Sequence, residues 1–488
     1  YNCTHSSIRV MLCLELRKEQ EKRLRVDRLH YYDEELIFPE GNAVPEGTTE
    51  ELVAKAQKMY HELSKETGEF FDFMVEHELF DLETKPGKQT GGYCTFLNTF
   101  KAPFIFSNFN GTSADVDVLT HEAGHAFEAY TAAKQIPFMD MVFPTSEVAE
   151  IHSMTMEHFA YPWMNAFFGE KADDYRYAHL MSALEVIPYM VCVDEFQHKV
   201  FENIGMTAKE RRAIWHQLEL TYMPWRNYDG HKFLEEGGFW MQKQHIFVNP
   251  FYYIDYALAQ ICAFQFFERS KKEPEKAWGD YYRLCQAGGS KGYFALLELA
   301  GLKNPFVDGT VEEVVAGLKP YLKRKVKYTI RPVKEEDLKK VAEVEALCFP
   351  AAEAAGYEDF MERYKTCKNS FFVAETEDGE IAGFCNGCCA DTDYLADALY
   401  HDATLHNPDG DYQMIFGLDV NPKFQKQGIG EALMRHMVKS AGERDKKAVV
   451  LTCKDHMIPF YKRIGYEYIE LSDSTHGGAK WHKMMYRF

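Results

Sequence analysis

The pentapeptide His121-Glu122-Ala123-Gly124-His125 has a spacing with a chemical consequence. Two histidines four apart on a helix share a face, so both imidazoles reach one metal ion, and the glutamate between them sits beside that ion. This is the spacing of zinc hydrolases. A catalytic zinc takes three protein ligands and keeps a fourth position for water. Glu147, Glu150 and Glu157 are the candidates for the third ligand. Glu150 and Glu157 share a helix face, Glu147 and Glu150 are also neighbours, and spacing leaves the choice open. Pro144-Thr145-Ser146 reads as the start of their helix. Leu119, Ala123, Ala126 and Tyr130 recur at helical spacing and give the histidine helix an apolar packing face, while Gly124 admits a close neighbour.

Further along, His245, Tyr252, Tyr253 and Tyr256 crowd one short stretch. Tyrosine and histidine can donate hydrogen bonds to the oxyanion that forms when zinc-bound water attacks a peptide carbonyl. A second chemistry is carried by the join from Leu418, Asp419 and Val420 to Gln425-Lys426-Gln427-Gly428-Ile429-Gly430, read as strand into helix. Backbone N–H groups at a glycine-containing helix start make an anion site, which suits a pyrophosphate. The glycine spacing matches neither a Walker A loop nor GxGxxG. Downstream, Tyr461 falls on a short helix ending at Gly465, where a phenol could protonate a leaving thiolate.

The elements that must position these groups divide the chain. Its 488 residues suggest two or three domains, and 46% hydrophobic and 15% aromatic content suits packed globular structure. A formal charge of −20 argues against a nucleic-acid surface. No run reaches the length of a membrane span. The cysteines lack a disulfide or metal pattern, with Cys385 to Cys388 a solitary CxxC, so cytoplasmic, reduced thiols are expected. Helices are expected through residue 30 and again from Thr49 to about Leu82, then a short sheet in 85–112 whose edge could hold an extended peptide. Helices follow to about Leu220, and another from Ala257. Past Arg324 the pattern alternates: strands at 328–333, 370–375, 380–389, 414–420 and 448–452, helices at 335–347, 428–440 and 458–464. This marks a separate α/β domain.

Residues 1 to about 322 resemble the oligoendopeptidase F-like branch of the thimet oligopeptidase family, through HEAGHAFEAY, SEVAEIHSMTMEHF, HIFVNPFYYIDYALAQ and GGSKGYFALLELAGLKNPFVDGT. The resemblance implies a mainly α, zincin-like metallopeptidase domain with a small sheet. It implies zinc held by His121, His125 and Glu150, with Glu122 as general base. Substrate and oxyanion contacts would fall on His245, Tyr253 and Tyr256, with Tyr252 a further candidate, and short peptides would be the substrates. Residues 328–488 resemble the GNAT superfamily of N-acetyltransferases through Gln425 to Gly430 and Phe460-Tyr461. Within it, Cys348-Phe349-Pro350-Ala351-Ala352-Glu353-Ala354-Ala355 is similar to the arylalkylamine branch. This implies acetyl-CoA bound by Leu418, Val420, Gln425, Gln427, Gly428, Ile429 and Gly430, an amine acceptor, and Tyr461 as general acid. The branch's histidine pair falls here on Met414 and Phe416, so that proton relay is expected to be absent. Residues 323–327 would be the linker. The chain opens on Tyr1, which reads as a fragment or processed start. The peptidase family normally carries a further helical region upstream, one wall of its channel, so the alternative expectation is a folded but inactive peptidase half.

Overall fold

A computed structural model describes residues 6–322, 326–350, 354–377, 379–395, 397–400, 402, 405–425, 427–474 and 480–488. Linker positions 323–325, Ala351, Ala352 and Glu353 of the arylalkylamine-like stretch, and Lys426 of the glycine loop lie outside the described residues. The chain divides into two compact units, Tyr1–Arg324 and Lys325–Phe488.

The first unit is mostly helical. It opens with α1 (Ser6–Leu24), α2 (Thr49–Leu63) and α3 (Lys65–Glu76). A capping box starts α2: Glu51 N donates to Thr48 Oγ1, and Thr48 N donates to Glu51 Oε2. Leu52, Ala56, Met59 and Tyr60 then form its buried stripe. The expected helix to Leu82 stops sooner. His77 caps α3, Glu78 takes a left-handed φ of 51°, and Phe80–Glu83 continues as strand β1. Strands β2 (Tyr93–Leu97) and β3 (Ala102–Phe109) pair antiparallel, and β1 joins β3 in parallel, giving the order β1-β3-β2 with β2 at an edge.

Next come α4 (Ala114–Gln135), α5 (Ser146–Phe159), α6 (Met164–Phe168), α7 (Ala172–Glu202), α8 (Ala208–Tyr222), α9 (His245–Val248), α10 (Tyr253–Lys272), α11 (Pro274–Ala287), α12 (Tyr293–Leu299) and α13 (Thr310–Leu318). The core of the unit joins α4, α5, α10 and α11 through Ala123, Phe127, Ile151, Phe266 and Tyr281. Gly124 is the point of closest approach. A Cβ there would sit 2.6 Å from Ser153 Cα and 2.7 Å from the His152 carbonyl oxygen, so the backbones of α4 and α5 touch.

The second unit contains β4 (Tyr328–Pro332), α14 (Leu338–Cys348), α15 (Tyr357–Cys367), β5 (Phe371–Thr376), β6 (Ile381–Ala390), β7 (Tyr412–Val420), α16 (Ile429–Gly442), β8 (Ala448–Cys453), α17 (Ile458–Ile464), β9 (Glu467–Leu471) and β10 (His482–Arg487). Its seven-stranded sheet has the order β4-β5-β6-β7-β8-β10-β9. All neighbours are antiparallel except β7 and β8. That parallel pair holds only from Tyr412 opposite Ala448 to Met414 opposite Val450. Beyond it, a register shift against β6 leaves Phe416 as an extra residue, and the two strands part. The sequence patterns therefore identify a mainly α unit with a small sheet and an α/β unit; β1, α15, β9 and β10 are among the elements they missed.

Candidate active sites

In the first unit, α4 carries His121 and His125 on one face, and the contact at Gly124 brings Glu150 of α5 across to both. Glu150 Oε2 lies 3.2 Å from His121 Nε2 and 3.5 Å from His125 Nε2. One ligand atom from each of the three residues lies within 4.8 Å of the others, the grouping a metal ion needs. Ser153 Oγ donates to Glu150 Oε2 at 2.9 Å. Burial pushes the Glu150 carboxyl up, but the His125 and His121 imidazoles offset this and hold it well below the usual range.

Glu157 sits behind this cluster. Its Oε1 is 2.6 Å from His121 Nδ1 and its Oε2 2.8 Å from His179 Nε2, while His179 Nδ1 meets Tyr161 OH at 2.7 Å. His121 is thereby turned so that its other nitrogen faces Glu150. Burial raises the Glu157 carboxyl, and the hydrogen bonds to His121 and His179 outweigh it, bringing it to about 2. Glu147, the other residue left open by spacing, accepts from Thr145 Oγ1 at 2.9 Å. Spacing could not separate these three glutamates, because their roles depend on how α5 is rotated against α4. His179 gave no signal of its own.

Glu122 is 6% exposed, and burial raises its pKa. The chain entering β2 passes over it: a Cβ on Gly92 would lie 3.6 Å from Glu122 Oε1. The aromatic group closes the other side. Phe251 takes a left-handed φ of 66° and α10 begins at Tyr253, four residues before the expected start, so Tyr253 and Tyr256 lie in its first turn. Tyr252 OH donates to Glu150 Oε1 at 2.5 Å, and its ring lies 5.1 Å from Tyr256 and 6.0 Å from His245. Tyr253 packs more deeply, 5.2 Å from His245 and 5.9 Å from Tyr189. The structure thus brings Tyr252, rather than Tyr253, against the carboxylate of the candidate metal group.

In the second unit, the gap between β7 and β8 is a cavity of about 520 Å³. Leu418, Val420, Gln425 and Tyr461 line it, with Phe416 and Trp481. Gln427, Gly428, Ile429 and Gly430 are not among its lining residues; they form the turn into α16. Gly428 has a φ of +83°, a conformation costly for any side chain, and the missing side chain of Gly430 leaves room for Val420 Cγ2, 3.4 Å from where its Cβ would be. Gln427 Oε1 accepts from Val326 N at 2.8 Å. Tyr461 stacks edgewise on Phe460 at 5.0 Å. Of the positions expected to lack the histidine pair, Met414 is buried in the core and Phe416 faces the cavity. Glu345 and Asp419 also line the cavity, two acids given no role by the sequence patterns, although an aspartate inside the apolar run Ile415 to Val420 is a visible anomaly.

The sequence profile of peptidase family M3 matches residues 44–315, more than half of the chain. The chain belongs to peptidase family M3. The acetyltransferase (GNAT) family profile matches residues 338–466, so this M3 member is fused to a GNAT acetyltransferase domain. An oligoendopeptidase F homolog of Borreliella burgdorferi is 24% identical over 302 residues, 60% of this chain and 50% of its own length. A solved structure assigned as an oligoendopeptidase F is 52% identical with a TM-score of 0.64, covering 65% of this chain and 56% of its own. The serotonin N-acetyltransferase of Mesocricetus auratus is 27% identical over 112 residues, 23% of this chain and 53% of its own length. The M3 member thus spans about half the length of the curated oligoendopeptidase relative it matches. Among the described residues, no helix is long and apolar enough to cross a membrane.

Proposed function

We propose that the M3 unit is a zinc-dependent endopeptidase of short peptides and that the GNAT unit is an acetyl-CoA-dependent N-acetyltransferase acting on an amine. The observation that carries the first half is the convergence of His121, His125 and Glu150 beside buried Glu122. Two imidazoles and one carboxylate are the donor set of a catalytic zinc with an open position. When bound, zinc would polarise the scissile carbonyl and acidify a water. The chain's own residues do the rest. Glu122 would take a proton from the attacking water and give it to the leaving amine. Tyr252, Tyr256 and His245 stand where they can donate to the developing oxyanion or hold the substrate, Tyr252 being released from Glu150 to do so. Tyr253, packed behind them, fixes the position of His245. The edge strand β2 holds an extended peptide by main-chain hydrogen bonds. The grouping of His121, His125 and Glu150 beside buried Glu122 favours an active peptidase half over an inactive one.

For the GNAT unit, the glycine-opened start of α16 fits a pyrophosphate held by backbone N–H groups from Gln425 to Gly430. The edge of β7 that β8 leaves unpaired, at Leu418 and Val420, offers main-chain groups to the rest of the coenzyme. Acetyl-CoA would supply an activated acyl group; Tyr461 would give its phenolic proton to the departing thiolate. The net charge of −20 disfavours nucleic-acid partners, and eleven free cysteines among the described residues suit a reducing cytoplasm. Peptide cleavage assayed with chelator and with restored zinc, beside acetyl-CoA turnover against an amine panel, tests both halves. Cleavage indifferent to chelator would refute the first, and absence of turnover with every amine the second.

A further inference from the structure

Asp419 is 1% exposed in the wall of the GNAT cavity, where its carboxyl meets the Glu345 carboxyl and the Cys348 thiol. A buried pair of carboxyls is costly unless a proton or a cation lies between them. Its surroundings are specific. Glu345 and Cys348 belong to α14; the buried Glu345 carboxyl hydrogen-bonds that of Asp419, and its Oε1 accepts from Ala355 N at 3.0 Å. Cys348 Sγ donates to the Val420 carbonyl at 3.4 Å. From α15, Asp359 and Arg363 face the same space; Arg363 Nη1 reaches Asn386 Oδ1 of β6 at 3.5 Å, and its guanidinium lies 5.1 Å from the Phe416 ring centre. Lys454 and His456, which follow β8, also line the cavity. Gly417 keeps the front of the aspartate clear, because a Cβ there would come within 3.2 Å of Asp419 Oδ2. Phe349, Phe416 and Trp481 supply apolar walls, and Tyr461 stands in the same cavity.

Resting on the acetyltransferase reading above, we propose that Asp419, paired with Glu345, is the receptor and proton acceptor for the primary ammonium of an amine with an apolar or aromatic tail. An ammonium donates to both carboxyls and takes the place of the proton they share. Burial, then the neighbouring Glu345 charge, pushes Asp419 up to about 9, which places it near an ammonium in proton affinity. The proton inventory balances. In the free protein Asp419 holds a proton at neutral pH. The arriving ammonium displaces that proton to water and leaves an ammonium–carboxylate pair. Transfer of one N–H proton to Asp419 within the pair then gives a neutral amine, its lone pair free for acylation, and a carboxylic acid. This does for the amine what the histidine pair, replaced here by Met414 and Phe416, cannot do.

The test is calorimetric titration of the full chain with 2-phenylethylamine near neutral pH, in phosphate and in Tris, with 2-phenylethanol as uncharged counterpart and coenzyme A as control. The amine should bind with release of about one proton, the linkage expected when a cation displaces it. The alcohol should bind about tenfold or more weakly, as should the amine to Asp419→Asn, with proton release abolished and coenzyme A binding kept. Equal amine binding and equal proton release by Asp419→Asn would overturn the proposal. So would absence of amine binding in a wild-type protein that still binds coenzyme A. Should Asp419→Asn fail to fold, Glu345→Gln carries the test, with weaker amine binding and smaller proton release expected and unchanged values contradictory. Wild-type protein that does not bind coenzyme A would instead refute the acetyltransferase reading, and this proposal with it.

Discussion

A methyl group at residue 124 would lie 2.6 Å from Ser153 Cα, so Gly124→Ala must push apart the two helices that carry His121, His125 and Glu150. Overpacking of this kind costs about 1–3 kcal/mol. We expect a lowered denaturation midpoint together with less than one equivalent of bound zinc; a stable variant with full zinc would contradict the close approach. Glu157 acts through His121, and Glu157→Gln should weaken zinc by about 10–100-fold, as removal of outer partners does, read by competition with a chelating dye. Asp419 gives a pH signature. Its folded pKa, about 9, lies above the unfolded value near 3.8, so the fold keeps a proton that the unfolded chain releases. Stability is therefore complete below the unfolded value and falls as pH rises toward the folded one. Asp419→Asn should flatten that fall in the GNAT unit, measured by thermal unfolding across the range; an unchanged slope would oppose it. The histidine pair was legible because its period is local to one helix. Glu150 was not, since its selection over Glu147 and Glu157 depends on how two helices meet, and only family resemblance pointed to it.

Strand β7 organises the second unit because it leaves β8 after Met414 and bulges at Phe416, which opens the cavity and frees one edge of the strand. The turn into α16 depends on Gly428, whose φ of +83° is strained for other residues although no atom lies within 4 Å of where a Cβ would be. Gly428→Ala therefore acts through backbone strain of about 1–2 kcal/mol and not through a clash. Coenzyme A binding should weaken with the secondary structure retained; unchanged affinity would sink the assignment of this loop to the pyrophosphate. Long periodic helices and apolar strands were readable from sequence. The misses have local causes. Strand β1 is four residues long and follows a helix directly, so its apolar residues looked like more helix. In α15 only Phe360, Arg363 and Cys367 are buried, too sparse a stripe to stand out among charges. Strand β10 begins with His482 and Lys483, both buried, with Lys483 Nζ 3.2 Å from Asp393 Oδ2, a pairing that no sequence pattern announces.

At the scale of the whole molecule, the two chemistries belong to separate compact units, Tyr1–Arg324 and Lys325–Phe488. The candidate metal ligands His121, His125 and Glu150 all lie in the first unit and the cavity lined by Tyr461 in the second. A chelator should therefore abolish peptide cleavage and leave amine acetylation at its full rate, measured side by side on one preparation; parallel loss of both would contradict two independent sites. The change of pattern past Arg324 was readable because a helical period gave way to alternating strands and helices, whereas the size of the cavity and the acid pair in its wall depend on contacts between residues far apart in sequence. We expect Glu122 to drive hydrolysis beside a zinc held by His121, His125 and Glu150. The most direct measurement is cleavage of a quenched fluorescent oligopeptide by wild type and Glu122→Gln, each with zinc content determined on the same sample. The account predicts one zinc in both proteins and a rate about 10²–10⁴-fold lower in the variant, the range for loss of a general base. A zinc-loaded variant that cleaves as fast as wild type would contradict it.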